Sequence, residues 1–253
     1  MSTTLAVANQ KGGVGKTTTA VHLAAGLALA GRTVLLVDLD PQANATSGLG
    51  VELHTDHSTH PLARPERPDH SQPVPSGRKR LTILPSTPDL LRVEQDLQGD
   101  PVAIHRLRNF LSSAPLAEYI ILDCPPSLGL LTRNALVAAD GVIVPIQCEY
   151  YAMEGLTRIL RELDDLKRHQ NPGLELAGIL LTMHDPGLEL SCEVIEEVRA
   201  NFPDDVFETL IPRDVTLSEA SSYGQTVFEY ERRSRAAYAY AGLTREVLAD
   251  EQT

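Results

Sequence analysis

Cysteine is scarce in this chain: Cys124, Cys148 and Cys192 are the only three among 253 residues, widely spaced and without a C-x-x-C pair. That spacing argues against a disulfide framework or a thiolate metal site and for reduced thiols. There is also no apolar run of the roughly 20 residues needed to cross a bilayer. The N-terminal MSTTLAVANQ lacks the charged start and long apolar stretch of a secretory signal. A cytoplasmic protein without a membrane span is therefore expected. Positive charge is the third shortage. Lys and Arg number 22 against 34 Asp and Glu, a formal charge of −12. That balance disfavours nonspecific affinity for nucleic acid unless the basic residues gather on one face.

What the chain does have is apolar periodicity, with 42% hydrophobic residues and material for a substantial core. Residues 5–8, 33–38, 81–84, 119–123, 141–146, 176–182 and 207–211 read as strands. VLLVD, YIILD and GVIVPI are continuously apolar, as strands covered on both faces are. Helical stripes run through Leu156, Ile159, Leu160, Leu163 and Leu166, through Val194, Ile195, Val198 and Phe202, and through Ala236, Tyr240, Leu243 and Val247. The last spacing turns Tyr240 inward. Alternation of strand and helix predicts an α/β fold, a mainly parallel twisted sheet with helices on both faces, in one domain over residues 1–253. Residues 54–80, rich in proline and histidine, are expected to be a flexible surface insertion. Their His54, His57 and His60 lack a regular scaffold for a metal site.

Residues 9–19 read NQKGGVGKTTT. The phosphate-loop pattern G-x-x-x-x-G-K-[ST] is met at Gly15, Lys16 and Thr17, but Gln10 stands at its first glycine and a second lysine, Lys11, follows. The context is a strand before the loop and an apolar helix after it. Backbone N–H groups freed by Gly12, Gly13 and Gly15 can converge on phosphates together with the helix N-terminus. Lys16 would neutralise the β- and γ-phosphates, with the Thr17 hydroxyl on Mg²⁺. Asp38 and Asp40 close one apolar strand and Asp123 another, and the carboxyl ends of parallel strands are where such sheets bind ligands. Acids there can hold a cation's hydration shell or orient an attacking water.

KGGVGKTT, with its extra lysine, resembles the deviant Walker A signature of the ParA/MinD group of P-loop ATPases. VDLDPQANATSGLG, ILDCPPSLGLLTRNAL, VPIQCEYYAMEGL and IPRDVTLSEASSYGQ resemble further signatures of its chromosome-partitioning branch, the ParA/Soj proteins. The resemblance spans nearly the whole chain apart from the proline–histidine segment. It implies the P-loop NTPase fold, ATP and Mg²⁺ as ligands, and a homodimer with two nucleotides sandwiched between protomers. It also implies a ParB-type centromere-binding partner that stimulates ATP hydrolysis during chromosome or plasmid segregation. By motif match, nucleotide contacts are expected from Lys11, Gly12, Gly13, Val14, Gly15, Lys16, Thr17 and Thr18, and Mg²⁺ contacts from Thr17, Asp38 and Asp123. Asp40 is expected to orient the hydrolytic water, and Pro212 and Arg213 to lie near the adenine. Lys11 would reach the partner's phosphates, giving the transition state the positive charge that other P-loop enzymes take from an arginine finger.

The resemblance weakens where it implies nucleoid DNA. Basic residues expected after the T-M-x-D segment, in I-P-R-N-V-R and after S-x-G are here Gly187, Thr216 and Gln225. From 184 to 231 there are twelve acidic residues and only two basic ones, Arg199 and Arg213. Phosphate neutralisation dominates nonspecific DNA affinity, so DNA binding is expected to be weak, absent or moved to the arginines of GRKR (residues 77–80), RLR (106–108) or ERRSR (231–235). The alternative reading is an ATP-dependent dimerisation switch acting on a protein. A MinD-like membrane-positioning ATPase would need a basic amphipathic C-terminal helix, and LTREVLADEQT is acidic.

Overall fold

The computed structural model describes residues 2–52, 60–63, 72–87, 89–97, 100, 102–113, 117–150 and 152–250. Its centre is a seven-stranded sheet of β1 (Thr3–Val7), β2 (Val34–Asp38), β3 (Val74–Arg78), β4 (Leu81–Leu84), β5 (Tyr119–Asp123), β6 (Gly141–Gln147) and β7 (Glu175–Thr182). The order across the sheet is β3-β4-β2-β5-β1-β6-β7. Every neighbouring pair is parallel except β3 with β4 at the edge.

The apolar pattern explains the layering. All five residues of β2 and of β5 are buried, because helices cover both faces. Side chains alternate between faces along a strand, so Leu35 and Val37 enter one core and Val34 and Leu36 the other. The first core lies under α5 (Leu130–Ala138), α6 (Ala152–His169) and α7 (Glu189–Asn201). The second lies under α1 (Lys16–Leu29) and α10 (Arg235–Asp250). All three expected helical stripes fall on these helices, and Tyr240 is buried as expected.

Two expectations need correction. Residues 207–211 do not form a strand of the sheet. They run beside β7 with isolated bridges at Val206 and Pro212 and separate hydrogen bonds, among them Phe207 N to Ile179 O and Ile211 N to Leu181 O. Pro212 has no N–H to carry a ladder onward. The described parts of the proline–histidine segment are also built into the fold. Residues 60–63 form a turn whose His60 and Leu62 are buried, and β3 pairs with β4 through a hairpin turn in which Arg80 has φ 66°. His54 and His57 lie outside the described residues.

Candidate functional site

The loop between β1 and α1 is tied down from several sides. Asn9 Nδ2 donates to Pro145 O (2.8 Å), while Asn9 Oδ1 accepts from Lys11 N (3.0 Å). Thr182 Oγ1 contacts both Val14 O and Ile146 O at 3.0 Å, and Gln147 Nε2 donates to Gly13 O at 2.8 Å. Carbonyls are thereby held outward by β6 and β7. Gly13 and Gly15, at φ 77° and 87°, adopt the left-handed backbone that the loop requires. α1 begins with no side-chain cap and no acid in its first turn. Its free N–H groups and the positive end of its dipole face the loop, which suits an anion.

The two lysines of the loop behave differently. Lys16 is buried and its Nζ donates to Lys11 O at 3.0 Å. Burial lowers its pKa, opposed first by the Asp123 carboxylate. Lys11 turns outward, half-exposed, and its Nζ pairs with Glu149 Oε2 at 3.1 Å. The other oxygen of Glu149 lies 3.8 Å from Arg213 Nη2.

The acids also divide. Asp38 and Asp123 are register partners on β2 and β5, both wholly buried. Asp38 is satisfied: Oδ1 accepts from Asp40 N (3.1 Å), and Oδ2 from Thr46 N (2.9 Å) and Thr46 Oγ1 (2.7 Å). Its carboxylate thus anchors α2 (Asn44–Gly48). Asp123 has no hydrogen-bond partner on either oxygen. Its pKa is raised well above the ordinary carboxylate range, first by burial and then by Asp38, with the nearby Thr17 hydroxyl and Lys16 pulling the other way. A buried carboxylate left open beside a threonine hydroxyl has the donor chemistry of a hard-cation site. Among the described residues, no group of three or more His, Cys, Asp or Glu side chains is gathered to hold a metal.

Above the loop opens a cleft of about 700 Å³, lined by Gly12, Gly13, Gly15, Lys16, Thr17 and Thr18 together with Asp40. Asp40 accepts a hydrogen bond from Gln42 N (2.9 Å). The volume falls within the range of small-molecule sites. Val14 is buried beneath the loop, and Pro212 and Arg213 are not among the lining residues. Sequence reasoning missed Val21, Gln42, Asn44, Ser47, Gly48, Pro126, Met183, Ser221 and Ser222, which complete the wall, and it missed the Lys11–Glu149 pair. Most of these lie inside the quoted signature segments, which was the one signal available.

Residues 2–176 match the AAA domain family (AAA_31). Over 248 residues the chain is 47% identical to a chromosome partitioning protein ParA of Myxococcus xanthus, covering 96% of this chain and 87% of that one. It is 45% identical to the sporulation initiation inhibitor protein Soj of Bacillus subtilis, covering 99% of this chain and all of that one. Among solved structures, it is similar to cobyrinic acid a,c-diamide synthase of Mycobacterium smegmatis with bound ADP and magnesium. That match has a TM-score of 0.85 and 35% identity, covering 100% of this chain and 96% of the other. With the phosphate loop, the strand-end acids and these full-length likenesses together, the chain belongs to the AAA domain family and, within it, to the ParA/Soj chromosome-partitioning ATPases.

Proposed function

We propose that the chain binds ATP in the 700 Å³ cleft, dimerises on binding it, and hydrolyses it to ADP and phosphate under the control of a ParB-type partner, thereby driving chromosome or plasmid segregation. The observation that carries this reading is the division of labour between the two lysines. Lys16 stays inside its own loop, while Lys11 is held at the rim by Glu149, where a second protomer can meet it.

In that reading the loop N–H groups, α1 and Lys16 bind the phosphates, and Thr17 and Asp123 hold Mg²⁺, which supplies charge neutralisation and orientation of the β- and γ-phosphates. Asp38 acts through α2, where its hydrogen bonds go. Asp40, on the cleft wall, accepts a hydrogen bond from the attacking water as the bond between the γ-phosphorus and the bridging oxygen breaks. Lys11 of one protomer stabilises charge on the other's phosphates, so hydrolysis waits for the dimer. The relatives named as a chromosome partitioning protein ParA and as a chromosome-partitioning ATPase Soj support an ATPase role in partitioning.

The test is to size the protein with ATP and Mg²⁺, using Asp40→Ala to block turnover. A monomer without nucleotide and a dimer with it are expected. An Asp40→Ala protein that binds ATP yet remains monomeric would overturn the mechanism. A second reading, an ATP switch acting on a protein without DNA, is favoured by the acidic surface. Gly187 and Gln225 are exposed, and Glu189, Glu193, Glu196, Glu197, Asp204, Asp205 and Glu208 are exposed on or next to α7. Mobility shift of plasmid DNA with ATP separates the two readings.

A further inference from the structure

A second cavity, of about 550 Å³, opens at the far end of α1 from the phosphate loop. Its floor is apolar, with Ala28 and Leu29 from α1 and Phe228 from α9 (Val227–Tyr230). Leu29 is 71% exposed, an unusual state for an aliphatic side chain in a concavity. The rim is cationic: Lys79 and Arg80 from the β3–β4 turn and Arg232 from the segment after α9, all exposed. The two basic runs GRKR and ERRSR, some 150 residues apart in sequence, thus meet at one opening.

The fourth cation, Arg78, is already committed. It donates to Glu229 Oε2 (2.8 Å), Leu49 O (2.8 Å), Ser76 O (2.8 Å) and Gly224 O (2.7 Å). Those partners consume the positive charge of Arg78 and the negative charge of Glu229 together. The remaining rim charge is carried by Lys79, Arg80 and Arg232. Only Glu231, which accepts from Arg233 N, lies beside them in sequence with opposite sign. Arg80 keeps an arginine at φ 66°, where glycine or asparagine fits with less strain.

We propose that this cavity is a docking site for a short acidic segment of a partner protein, one apolar side chain of which inserts over Leu29 and Phe228 while its carboxylates meet Lys79, Arg80 and Arg232. An apolar pocket ringed by charge is how peptide anchors are read: the pocket gives burial and the rim gives sign selection. Duplex DNA fits less well. Its phosphates lie on a convex surface and leave Leu29 and Phe228 uncovered.

The test is fluorescence polarisation of the full-length protein with a labelled decapeptide of aspartate and glutamate carrying one phenylalanine and one leucine. Saturable binding on the order of 10 µM is expected. The double reversal Lys79→Glu/Arg232→Glu is expected to weaken it at least about tenfold, as is Leu29→Glu, which alters an exposed side chain and leaves the core intact. A peptide with serine in place of both apolar residues is expected to lose affinity similarly. Unchanged thermal midpoints of the variants exclude misfolding. No saturable binding, equal binding of the serine peptide, or displacement of the peptide by duplex DNA with the same variant sensitivity would each overturn the proposal. Arg78 is not the residue to change, because it holds the backbone after α2 and before α9.

Discussion

Among the described residues, the charge cluster around Arg78 and the one around Asp123 are finished to different degrees. Arg78 meets four acceptors, Glu229 Oε2 and three backbone carbonyls. Glu229 caps α9 through Thr226 N and Oγ1 (2.8 and 2.9 Å), as well as pairing with Arg78. Nearby His22 hydrogen-bonds to Thr18 O through Nδ1 (2.7 Å) and accepts from Val227 N through Nε2 (3.0 Å). Burial first of all lowers the pKa of His22 to about 4. It is therefore neutral, with its proton on Nδ1. Around Asp123, by contrast, both carboxylate oxygens are open. The first cluster is architecture, complete in the chain itself. The second gathers the buried Asp123 carboxyl with the Thr17 hydroxyl and Lys16 at the carboxyl end of the sheet.

The most severe break is expected at the open cluster's rim. Lys11→Ala should lower the ATP turnover rate by about 1,000-fold, as removal of a charge supplied in trans does. Nucleotide affinity of the isolated protomer, measured by fluorescent-analogue titration, should stay within about threefold, a difference under 1 kcal/mol. Next comes the finished cluster. Arg78→Met removes the ion pair to the partly exposed Glu229 and strands three carbonyls, those of Leu49, Ser76 and Gly224, and should cost about 2 kcal/mol in denaturant unfolding. A loss below about 0.5 kcal/mol would show that the two clusters are not different in kind.

Asp123→Asn sharpens the contrast by moving stability the other way. It should stabilise the nucleotide-free protein by about 1 kcal/mol at pH 8 while abolishing Mg²⁺-dependent turnover. The pH dependence follows from the raised carboxyl pKa. The unfolded carboxyl ionises near 3.8 and the folded one only at higher pH. The contribution of Asp123 is therefore greatest below 3.8 and is lost as pH rises through the folded pKa. The stability difference between wild type and Asp123→Asn should grow over that window, read from denaturation curves across pH. The smallest effect is expected for Glu149→Gln. The ion pairs to Lys11 and Arg213 are half-exposed and worth under about 1 kcal/mol, so the thermal midpoint should scarcely move.

The sequence revealed the parts of this molecule governed by local chemistry. VLLVD and YIILD read as doubly covered strands, which β2 and β5 are, and a glycine loop between strand and helix reads as a phosphate cradle. Asp38 and Asp123 were recognisable as strand-end acids. Which of them would be satisfied was not, because that depends on Thr46 folding back eight residues to Asp38. β3 escaped because VPSGR has no apolar alternation and carries Pro75. An edge strand tolerates proline, and pairing with β4 rather than propensity decides its conformation. Residues 207–211 misled in the opposite sense. FETLI alternates like a strand, yet only scattered bonds reach β7. Glu149 was hidden for a different reason: its partner Lys11 lies 138 residues away.

The open carboxylate of Asp123 also bears on how long the protein survives in a cell. A chain whose empty form is less stable than its filled form unfolds more often when nucleotide is scarce, and proteases remove what unfolds. The outcome expected from the buried Asp123 carboxyl at the end of β5 is faster loss of the protein from ATP-depleted than from ATP-replete cells, read by pulse-chase.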